Sequence, residues 1–308
     1  MGVAEASFSF SLCADDFALS PGVSRGILEA LAAGRLSATS VMTTRPSWRE
    51  GARDLRAFKA KADIGLHLNL TLGDPLSAMP NFAASGHLPE INRVLKGARN
   101  HDLPEAEIRR EISRQLDRFV ECFGAAPDFV DGHQHVQILP QIRHWLFDAL
   151  ESRGLGGKIW LRDSGDRLFS ILRRGGELKK ALGLAWLAKG FAREARARGF
   201  VANDGFSGFS SFDPCRDYGA AFAGYLRAPG RRHLIMCHPG YCDEELVSAD
   251  PVTLTREREL SFLLSPAFVR LLEQNRADLA RIGECFCRPS ATAAESARNS
   301  RGDSHVSR

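Results

Sequence analysis

Short apolar runs of strand-forming residues recur along the chain, separated by longer stretches in which apolar positions have helical spacing. Eight of these runs predict strands: Phe8–Ala14, Ala38–Thr43, Ala62–Leu68, Asp128–Asp131, Lys158–Leu161, Phe200–Ala202, His233–Cys237 and Arg281–Phe286. Five intervening stretches predict helices: Pro21–Ala33, Leu103–Phe123, Pro140–Arg153, Val252–Leu264 and Pro266–Arg281. Because strands that alternate with helices form parallel sheets, the pattern predicts an α/β fold with a closed β/α barrel.

Two segments break this alternation. Residues 73–104 contain Pro75, Pro80 and Pro89 and few periodic apolar positions, which predicts a long loop that serves as a lid or a dimer contact. Residues 289–308 are rich in Ser, Ala and Arg without aromatic residues, which predicts a disordered tail. The predicted organisation is an N-terminal extension over residues 1–7, a barrel domain over residues 8–288 and the tail.

Composition and local motifs favour a soluble globular protein over a membrane-spanning or nucleotide-binding one. Hydrophobic residues make up 44% of the 308 residues and charged residues 25%, which is typical of a chain with an ample core. The longest apolar stretch, Ala181–Ala188, is far shorter than the ~20 residues that span a bilayer. No basic residue precedes Arg25, unlike a signal peptide, and the seven cysteines show no paired framework. We therefore expect a cytoplasmic protein. No G-x-G-x-x-G or Walker pattern follows a predicted strand.

The net charge of +4 is concentrated in one insert. Residues 166–198 hold nine Lys or Arg against three acids, so the remainder of the chain is slightly acidic. A nucleic-acid partner is not expected, because its binding surface would be broader and interleaved with aromatic residues. Two interpretations of the insert stay open: an ordinary barrel helix with a solvated basic face, or an amphipathic segment that contacts a membrane peripherally.

Polar residues with metal-binding or acid–base chemistry follow three predicted strands directly. Asp15 and Asp16 end the first, His67 lies in the third, and Asp131–His135 ends the fourth. Parallel α/β folds place functional residues at these carboxyl ends. One Asp and two His from three strands can converge on a divalent ion, and three protein ligands leave a position open, which is typical of a catalytic metal.

Each of these residues also has a structural interpretation. The adjacent Asp15 and Asp16 point to opposite sides of an extended chain, so one can bind a metal and the other act as a base, or one can simply cap a helix. His67 alone could be a hydrogen-bonded core histidine. Alternation along a strand places Asp131, His133 and His135 on one face, where Asp131 could orient an imidazole.

A further histidine, His238, ends the predicted strand His233–Cys237 at a Pro-Gly turn. Its imidazole is expected to face the same mouth of the barrel as the metal. A histidine that is not a metal ligand can donate a proton to a leaving group. The structural alternative is a histidine that only belongs to the turn.

Four segments in this order resemble the YdjC-like carbohydrate deacetylases. They are Ala14-Asp15-Asp16-Phe17, Gly65-Leu66-His67-Leu68-Asn69-Leu70-Thr71, Asp131-Gly132-His133-Gln134-His135-Val136 and Cys237-His238-Pro239-Gly240-Tyr241. The resemblance covers about residues 8–287. That family includes chitooligosaccharide deacetylases and hopanoid-biosynthesis-associated deacetylases, and the resemblance implies a distorted β/α TIM-like barrel with parallel strands.

The resemblance also implies roles for five residues. The metal ligands are expected to be Asp16, His67 and His133, holding one divalent ion, Mg²⁺ or Zn²⁺. Asp15 is the expected base and His238 the expected acid. The implied reaction is metal-dependent removal of an N-acetyl group from an amino sugar, either an oligosaccharide or a sugar-lipid, with release of acetate.

Two positions depart from the family pattern, and two other functions stay open. Ala18 stands where the family usually has Gly after the Asp-Asp-Phe segment, and Gln137 stands where it often has a third histidine. Neither is an expected ligand, so the departures affect the local loop and the substrate. The alternatives are a barrel metallohydrolase acting on another amide or ester, and a metal-dependent sugar-binding protein without catalysis, which would need neither Asp15 nor His238. A non-haem iron oxygenase also uses two His and one carboxylate, but it needs an oxidant.

Overall fold

The computed structural model describes residues 8–285, so the predicted extension and tail lie outside the described residues. Nine strands form one sheet: β1 (Phe8–Phe17), β2 (Ala38–Val41), β3 (Asp63–Leu68), β4 (Phe129–Gly132), β5 (Trp160–Leu161), β6 (Val201–Ala202), β7 (Gly205–Ser207), β8 (His233–Cys237) and β9 (Ala277–Leu279). Every strand pairing in it is parallel.

Thirteen α-helices connect or flank these strands within residues 8–285. They are α1 (Pro21–Ala32), α2 (Trp48–Leu55), α3 (Ile91–Asn100), α4 (Glu105–Phe123), α5 (Pro140–Glu151), α6 (Leu168–Arg174), α7 (Leu178–Leu187), α8 (Phe191–Ala197), α9 (Tyr218–Tyr225), α10 (Glu244–Ala249), α11 (Leu254–Leu264), α12 (Pro266–Asn275) and α13 (Ile282–Cys285). Short 3₁₀ helices cover Arg56–Phe58 and His133–Ile138. None of the helices in this described part is long and apolar enough to span a bilayer.

The strands follow the order β6-β5-β4-β3-β2-β1-β8-β7, and β9 pairs with the start of β1 on the side opposite β8. The sheet curls with helices around it, while β6 and β7 are not paired with each other in the described range. Central strands are buried along their length, as β3 shows at every position. The predicted distorted β/α barrel is confirmed, but the expected closure is wrong within residues 8–285, since the sheet is open between β6 and β7. The strand ends still converge as parallel topology requires.

Local sequence features explain why these elements form where they do. Ser20 caps α1 by accepting a hydrogen bond from the Val23 amide at 3.2 Å, and Pro21 occupies the first turn. The buried face of α1 includes Val23, Ile27 and Leu31, at helical spacing, so it packs against the sheet. Gly124, at φ 83°, ends α4 in the left-handed conformation that glycine adopts without strain.

Sequence reasoning was wrong at the end of the chain and incomplete in its middle. The predicted strand Arg281–Phe286 is wrong over its described residues, which include helix α13 at Ile282–Cys285. The predicted helix Pro266–Arg281 ends at Asn275, and β9 follows within its predicted range. The three-residue strand β7 was not predicted, because a run that short carries little periodicity.

The segment 73–104 is anchored rather than loose, and it contains helix α3 near its end. Two buried carboxylates on α4 hold it. Glu111 accepts hydrogen bonds from the Leu76 amide at 3.0 Å and the Ser77 amide at 2.8 Å. Glu107 accepts one from the Phe82 amide at 2.9 Å. The expected 32-residue loop is therefore a partly helical layer fixed to α4.

Candidate metal and catalytic site

Three side chains from distant parts of the chain meet at the carboxyl ends of β1, β3 and β4. One ligand atom from each of Asp16, His67 and His133 lies within 4.8 Å of the other two, and all three residues are buried. Oδ1 of Asp16 lies 3.2 Å from Nε2 of His67 and 3.1 Å from Nδ1 of His133. The parallel sheet brings together the three residues expected to bind a metal.

The end of β1 departs from a regular strand at the two acids. Its register against β2 shifts between Ala14 and Phe17, and Asp16 adopts φ 69°. Ala18 lies at φ 73°, in the left-handed region that favours glycine, so its methyl group is accommodated with strain at the position where the family usually has Gly. The bulge aims Asp15 and Asp16 at different partners, although both line the same cavity.

Asp131 fixes the orientation of His67. Its Oδ1 lies 2.7 Å from Nδ1 of His67, and Ser40 Oγ lies 3.0 Å from the same nitrogen. A carboxylate acceptor favours hydrogen on Nδ1, which leaves Nε2, on the Asp16 side, as the nitrogen that can bind either a proton or a cation. The expectation that Asp131 orients an imidazole is consistent with this contact.

Arg162, which was not predicted, organises the other acid. It donates two hydrogen bonds of 2.6 Å to Asp15, and its Nη2 also lies 2.6 Å from Oδ2 of Asp131. Cys13, Asp15 and Asp131 also form a second buried cluster with metal-ligand spacing, but the Arg162 guanidinium contacts both carboxylates there. Arg162 directly follows the predicted strand Lys158–Leu161, and this position at a strand end is the sequence signal that marks it.

Arg256, on α11, is the second functional candidate that sequence reasoning missed. Its Nη2 donates to Oδ2 of Asp16 at 2.7 Å and lies 3.2 Å from Asp250. Its Nε donates to the Val252 carbonyl at 2.9 Å. One oxygen of Asp16 thus faces the two imidazoles and the other is held by a guanidinium. No local motif marks Arg256, and its contact with Asp16 could not be read from the sequence because α11 is distant from β1 along the chain.

His238 lies beside Asp15 at the end of β8. Its Nε2 is 4.0 Å from Oδ2 of Asp15, and its ring contacts Phe212 edge to face at 5.4 Å between centroids. The backbone amide of His238 donates to buried Glu259 at 2.6 Å, which fixes the turn. The structure therefore places His238 at the mouth where the sequence predicted it, within reach of Asp15 and outside the three-residue cluster.

His135 does not share a face with Asp131 and His133, so that expectation from strand alternation is wrong. β4 ends at Gly132, and the next six residues form a 3₁₀ turn in which Gln134 and His135 have positive φ. Nδ1 of His135 lies 3.0 Å from Ser164 Oγ, and the residue lines the same cavity without joining the three-residue cluster. A Cβ at Gly132 would approach Gln137 Oε1 to 2.7 Å, so a larger residue there would displace the buried Gln137 amide.

Gln137, the other departure from the family pattern, supports the region of Arg162. Its Nε2 donates to the Arg162 carbonyl at 3.2 Å and to Ser164 Oγ at 3.1 Å, and the residue is fully buried. It is a structural contact behind the site rather than a lining residue.

The cluster has the charge balance of a cation site. Three buried carboxylates, Asp15, Asp16 and Asp131, face two buried guanidiniums, Arg162 and Arg256, and Arg256 is also shared with Asp250, so the carboxylates outnumber the guanidiniums. Burying a carboxylate without a compensating positive charge is strongly unfavourable. A further cation or proton is therefore needed among these residues.

The pKa directions agree with that balance. Burial lowers the pKa of His67, but Asp131 and Asp16 more than reverse this and raise it to about 10. The imidazole is therefore protonated on both nitrogens, and positively charged, when no cation is bound. Burial raises the pKa of Asp15, but the charge and hydrogen bonds of Arg162 outweigh it and lower the value to about 2. The residues fit a divalent ion: two imidazole nitrogens and one carboxylate oxygen, with an acid fixing one imidazole.

The site opens into a cavity of about 1330 Å³. Its floor carries both acids of β1, the two clustered histidines and His238. One wall comes from α3 and the other from α7: Leu95, Lys96, Arg99, Leu184, Trp186 and Leu187. The size suits a ligand of several sugar rings, since typical small-molecule pockets are about 300–1,000 Å³.

Comparison with known proteins agrees with this site and fold. Residues 10–274 match the model of the YdjC-like protein family, and the chain belongs to that family, which confirms the resemblance. A solved structure from Enterococcus faecalis V583, described as a putative cellobiose-phosphate cleavage protein, has a TM-score of 0.69 at 20% identity. That likeness covers 91% of this chain and 99% of the other, and it supports the fold alone.

Two curated relatives named chitooligosaccharide deacetylase show how far the sequence similarity extends. The Klebsiella pneumoniae relative is 36% identical over 146 residues, which is 47% of this chain and only about half (57%) of the relative. The Yersinia pestis (strain Pestoides F) relative is 29% identical over 277 residues, covering 88% of this chain and 97% of its own length.

Proposed function

We propose that this protein is a metal-dependent hydrolase that removes an N-acetyl group from an amino sugar and releases acetate. The observation that carries the proposal is the convergence of Asp16, His67 and His133 in a cavity that also holds Asp15 and His238. The names of the curated relatives support the same reaction class. The substrate would be an N-acetylated oligosaccharide or sugar-lipid, since the wide, partly apolar cavity accommodates either.

Asp16, His67 and His133 would hold one divalent ion, with Zn²⁺ and Mg²⁺ as the two candidates. A set of two imidazoles and one carboxylate suits Zn²⁺ and neighbouring transition metals better than an all-oxygen site would. Asp131 supports the set by fixing His67 at 2.7 Å. Arg256 supports it by holding the second oxygen of Asp16 at 2.7 Å. When bound, such an ion supplies Lewis acidity toward the acetyl carbonyl and a more acidic water.

Asp15 would accept the proton of the attacking water, because its carboxylate lies beside the metal cluster and lines the cavity. The contacts of Arg162 keep this carboxylate ionised and fix its orientation. A carboxyl group with a pKa of about 2 is a weak base, so proton transfer to it depends on a water made acidic within the same site.

His238 would donate a proton to the departing amine nitrogen. Amide cleavage needs this step, because an unprotonated amine anion is a very poor leaving group. Its Nδ1 is buried without a hydrogen-bond partner, while Nε2 lies 4.0 Å from Asp15. The proton that Asp15 takes from water is thus close to the imidazole that must deliver one.

Acetate release tests the proposal directly. Purified protein would be stripped with chelator, reloaded separately with Zn²⁺ or Mg²⁺, and incubated with N-acetylglucosamine, chitooligomers and N-acetylglucosaminyl lipids. We expect acetate and a free amine in equal amounts only after reloading. Stoichiometric metal binding without acetate release from any of these would instead favour a sugar-binding protein, and release from simple esters alone would favour another hydrolase.

A further inference from the structure

Exposed large apolar side chains are concentrated in one helical hairpin at the edge of the candidate site. Of the eight that are exposed within residues 8–285, five lie in α6 and α7: Leu168, Phe169, Leu172, Leu182 and Trp186. Phe169 is 69% exposed and Trp186 is 75% exposed. Such clustering is unusual for side chains that contact only water.

The exposed residues follow the spacing of two helix faces. On α6, Leu172 lies four positions after Leu168 and three after Phe169, so the three share one side, while Ile171 is buried against the protein. On α7, Leu182 and Trp186 are four positions apart. The two helices contact each other, and Gly175 and Gly176, both at positive φ, form the turn between them. The hairpin therefore presents apolar faces that nothing in the described structure covers.

Basic residues surround these faces. Residues 167–189 contain six Lys or Arg and a single acid, Glu177, which is itself paired with Arg216 at 3.0 Å. Arg167, Arg173 and Lys189 are exposed among the apolar side chains. Apolar residues flanked by exposed basic ones are the pattern of helices that lie in the interface of an anionic membrane.

The hairpin is also part of the cavity rim. Trp186 is highly exposed yet lines the cavity together with Leu184 and Leu187. A surface that covered the hairpin would therefore lie at the mouth above the candidate site. That position suits a bilayer, because it would bring the mouth to the lipid surface.

We propose that the α6–α7 hairpin docks this protein on anionic lipid bilayers, with the apolar residues entering the interface and the basic residues facing lipid headgroups. The charge complementarity of the hairpin favours a bilayer over a second copy of the chain, whose hairpin would carry the same positive charge. This inference does not depend on the reaction proposed for the site.

Trp186 supplies a built-in probe for the test. The other three tryptophans, Trp48, Trp145 and Trp160, are buried, so a change in tryptophan emission on vesicle binding reports mainly on Trp186. Vesicles of phosphatidylcholine with about 30% phosphatidylglycerol would be compared with phosphatidylcholine alone, at low and high salt. We expect sedimentation and a blue shift only with the anionic vesicles at low salt, and no shift in Trp186→Phe.

Matched variants distinguish binding through the hairpin from binding through basic or apolar surface residues elsewhere on the protein. Arg173→Gln and Lys179→Gln should each weaken vesicle affinity about fivefold, and together about 25-fold. Phe169→Ser with Leu172→Ser should abolish sedimentation. The control for charge is the double variant Lys61→Gln with Lys158→Gln, because both lysines precede strands at the opposite end of the barrel. The control for hydrophobicity is Val120→Ser, at an exposed position of α4.

Three outcomes would overturn the proposal. Equal recovery with neutral and anionic vesicles would remove the charge argument. If the control variants lost as much vesicle binding as the hairpin variants, no specific surface would be involved. Dimerisation of the parent protein that Leu172→Ser abolishes, without vesicle binding, would assign the hairpin to a contact between two copies.

Discussion

Oδ1 of Asp131 lies 2.7 Å from Nδ1 of His67, and both side chains are buried. The second oxygen of the same carboxylate lies 2.6 Å from Arg162. Asp131 thus touches the proposed metal side of the site and the proposed base side at once. Its carboxylate stands behind these residues and does not line the cavity.

Replacing Asp131 tests its role behind the metal. Asp131→Asn should lower metal affinity about 10- to 100-fold, because the amide is a weaker acceptor for the His67 imidazole. Competition against a chelating dye measures this affinity. Ser40→Ala removes the other contact of His67 Nδ1, at 3.0 Å, and serves as the control with a smaller expected effect. Equal losses in both variants would contradict a special role for Asp131.

The two acids of β1 should fail in different ways. Asp15→Asn cannot accept the proton of water, so turnover should fall by about 10²–10⁴ while metal content is retained. Asp16→Asn should lose metal, because a neutral amide oxygen is a poorer ligand than a carboxylate. Metal analysis beside acetate-release kinetics distinguishes the variants. Metal loss in Asp15→Asn with retention in Asp16→Asn would invert the assignment.

His238→Ala should resemble Asp15→Asn, with metal retained and turnover reduced about 10²–10⁴-fold. Because the cavity is open above the deleted side chain, added imidazole should restore part of the activity. A substrate with an activated leaving group, such as a nitrophenyl acetate, should be affected much less, since its departure needs no proton. Equal losses on both substrates would argue against a proton donor.

Arg162 should matter for folding as well as for orientation. Arg162→Met leaves Asp15 and Asp131 buried without their cation, so we expect a loss of about 3–5 kcal/mol in the free energy of unfolding. Urea denaturation measures it. The double variant Arg162→Met with Asp15→Asn should recover part of that stability. Arg114→Met, which breaks the exposed pair with Glu121, is the control and should change little.

Glu111 should hold segment 73–104 in place. Glu111→Ala removes the acceptor for the Leu76 and Ser77 amides, which should expose the segment to limited proteolysis around residues 74–90. Glu105→Ala, at the exposed start of the same helix, is the matched control. Unchanged cleavage rates in both variants would show that other contacts fix the segment.

The sequence was sufficient for those parts of the fold and site that depend only on where the parallel strands end. Buried strands ending in Asp or His predicted the barrel and the positions of Asp16, His67, His133 and His238, because parallel strands deliver their carboxyl ends to one rim. Separate partners for Asp15 and Asp16 were expected from an extended strand, but the structure produces them with a bulge and a positive φ at Asp16.

Residues whose roles depend on long-range packing could not be predicted in the same way. Arg256 reaches Asp16 across 240 positions from a helix with no motif. His135 does not follow strand alternation, because the chain leaves the strand after Gly132 for a 3₁₀ turn. Helix α3 and strand β9 are short elements whose formation depends on the surfaces that receive them.

The double contact of Asp131 has a consequence for how this site can vary among relatives. A substitution at position 131 disturbs the imidazole and the guanidinium together, so a compensating change at either partner alone repairs only half of the damage. Asp131, His67 and Arg162 should therefore be inherited as a set: descendants that change one of them should have changed the others, or should have given up the site.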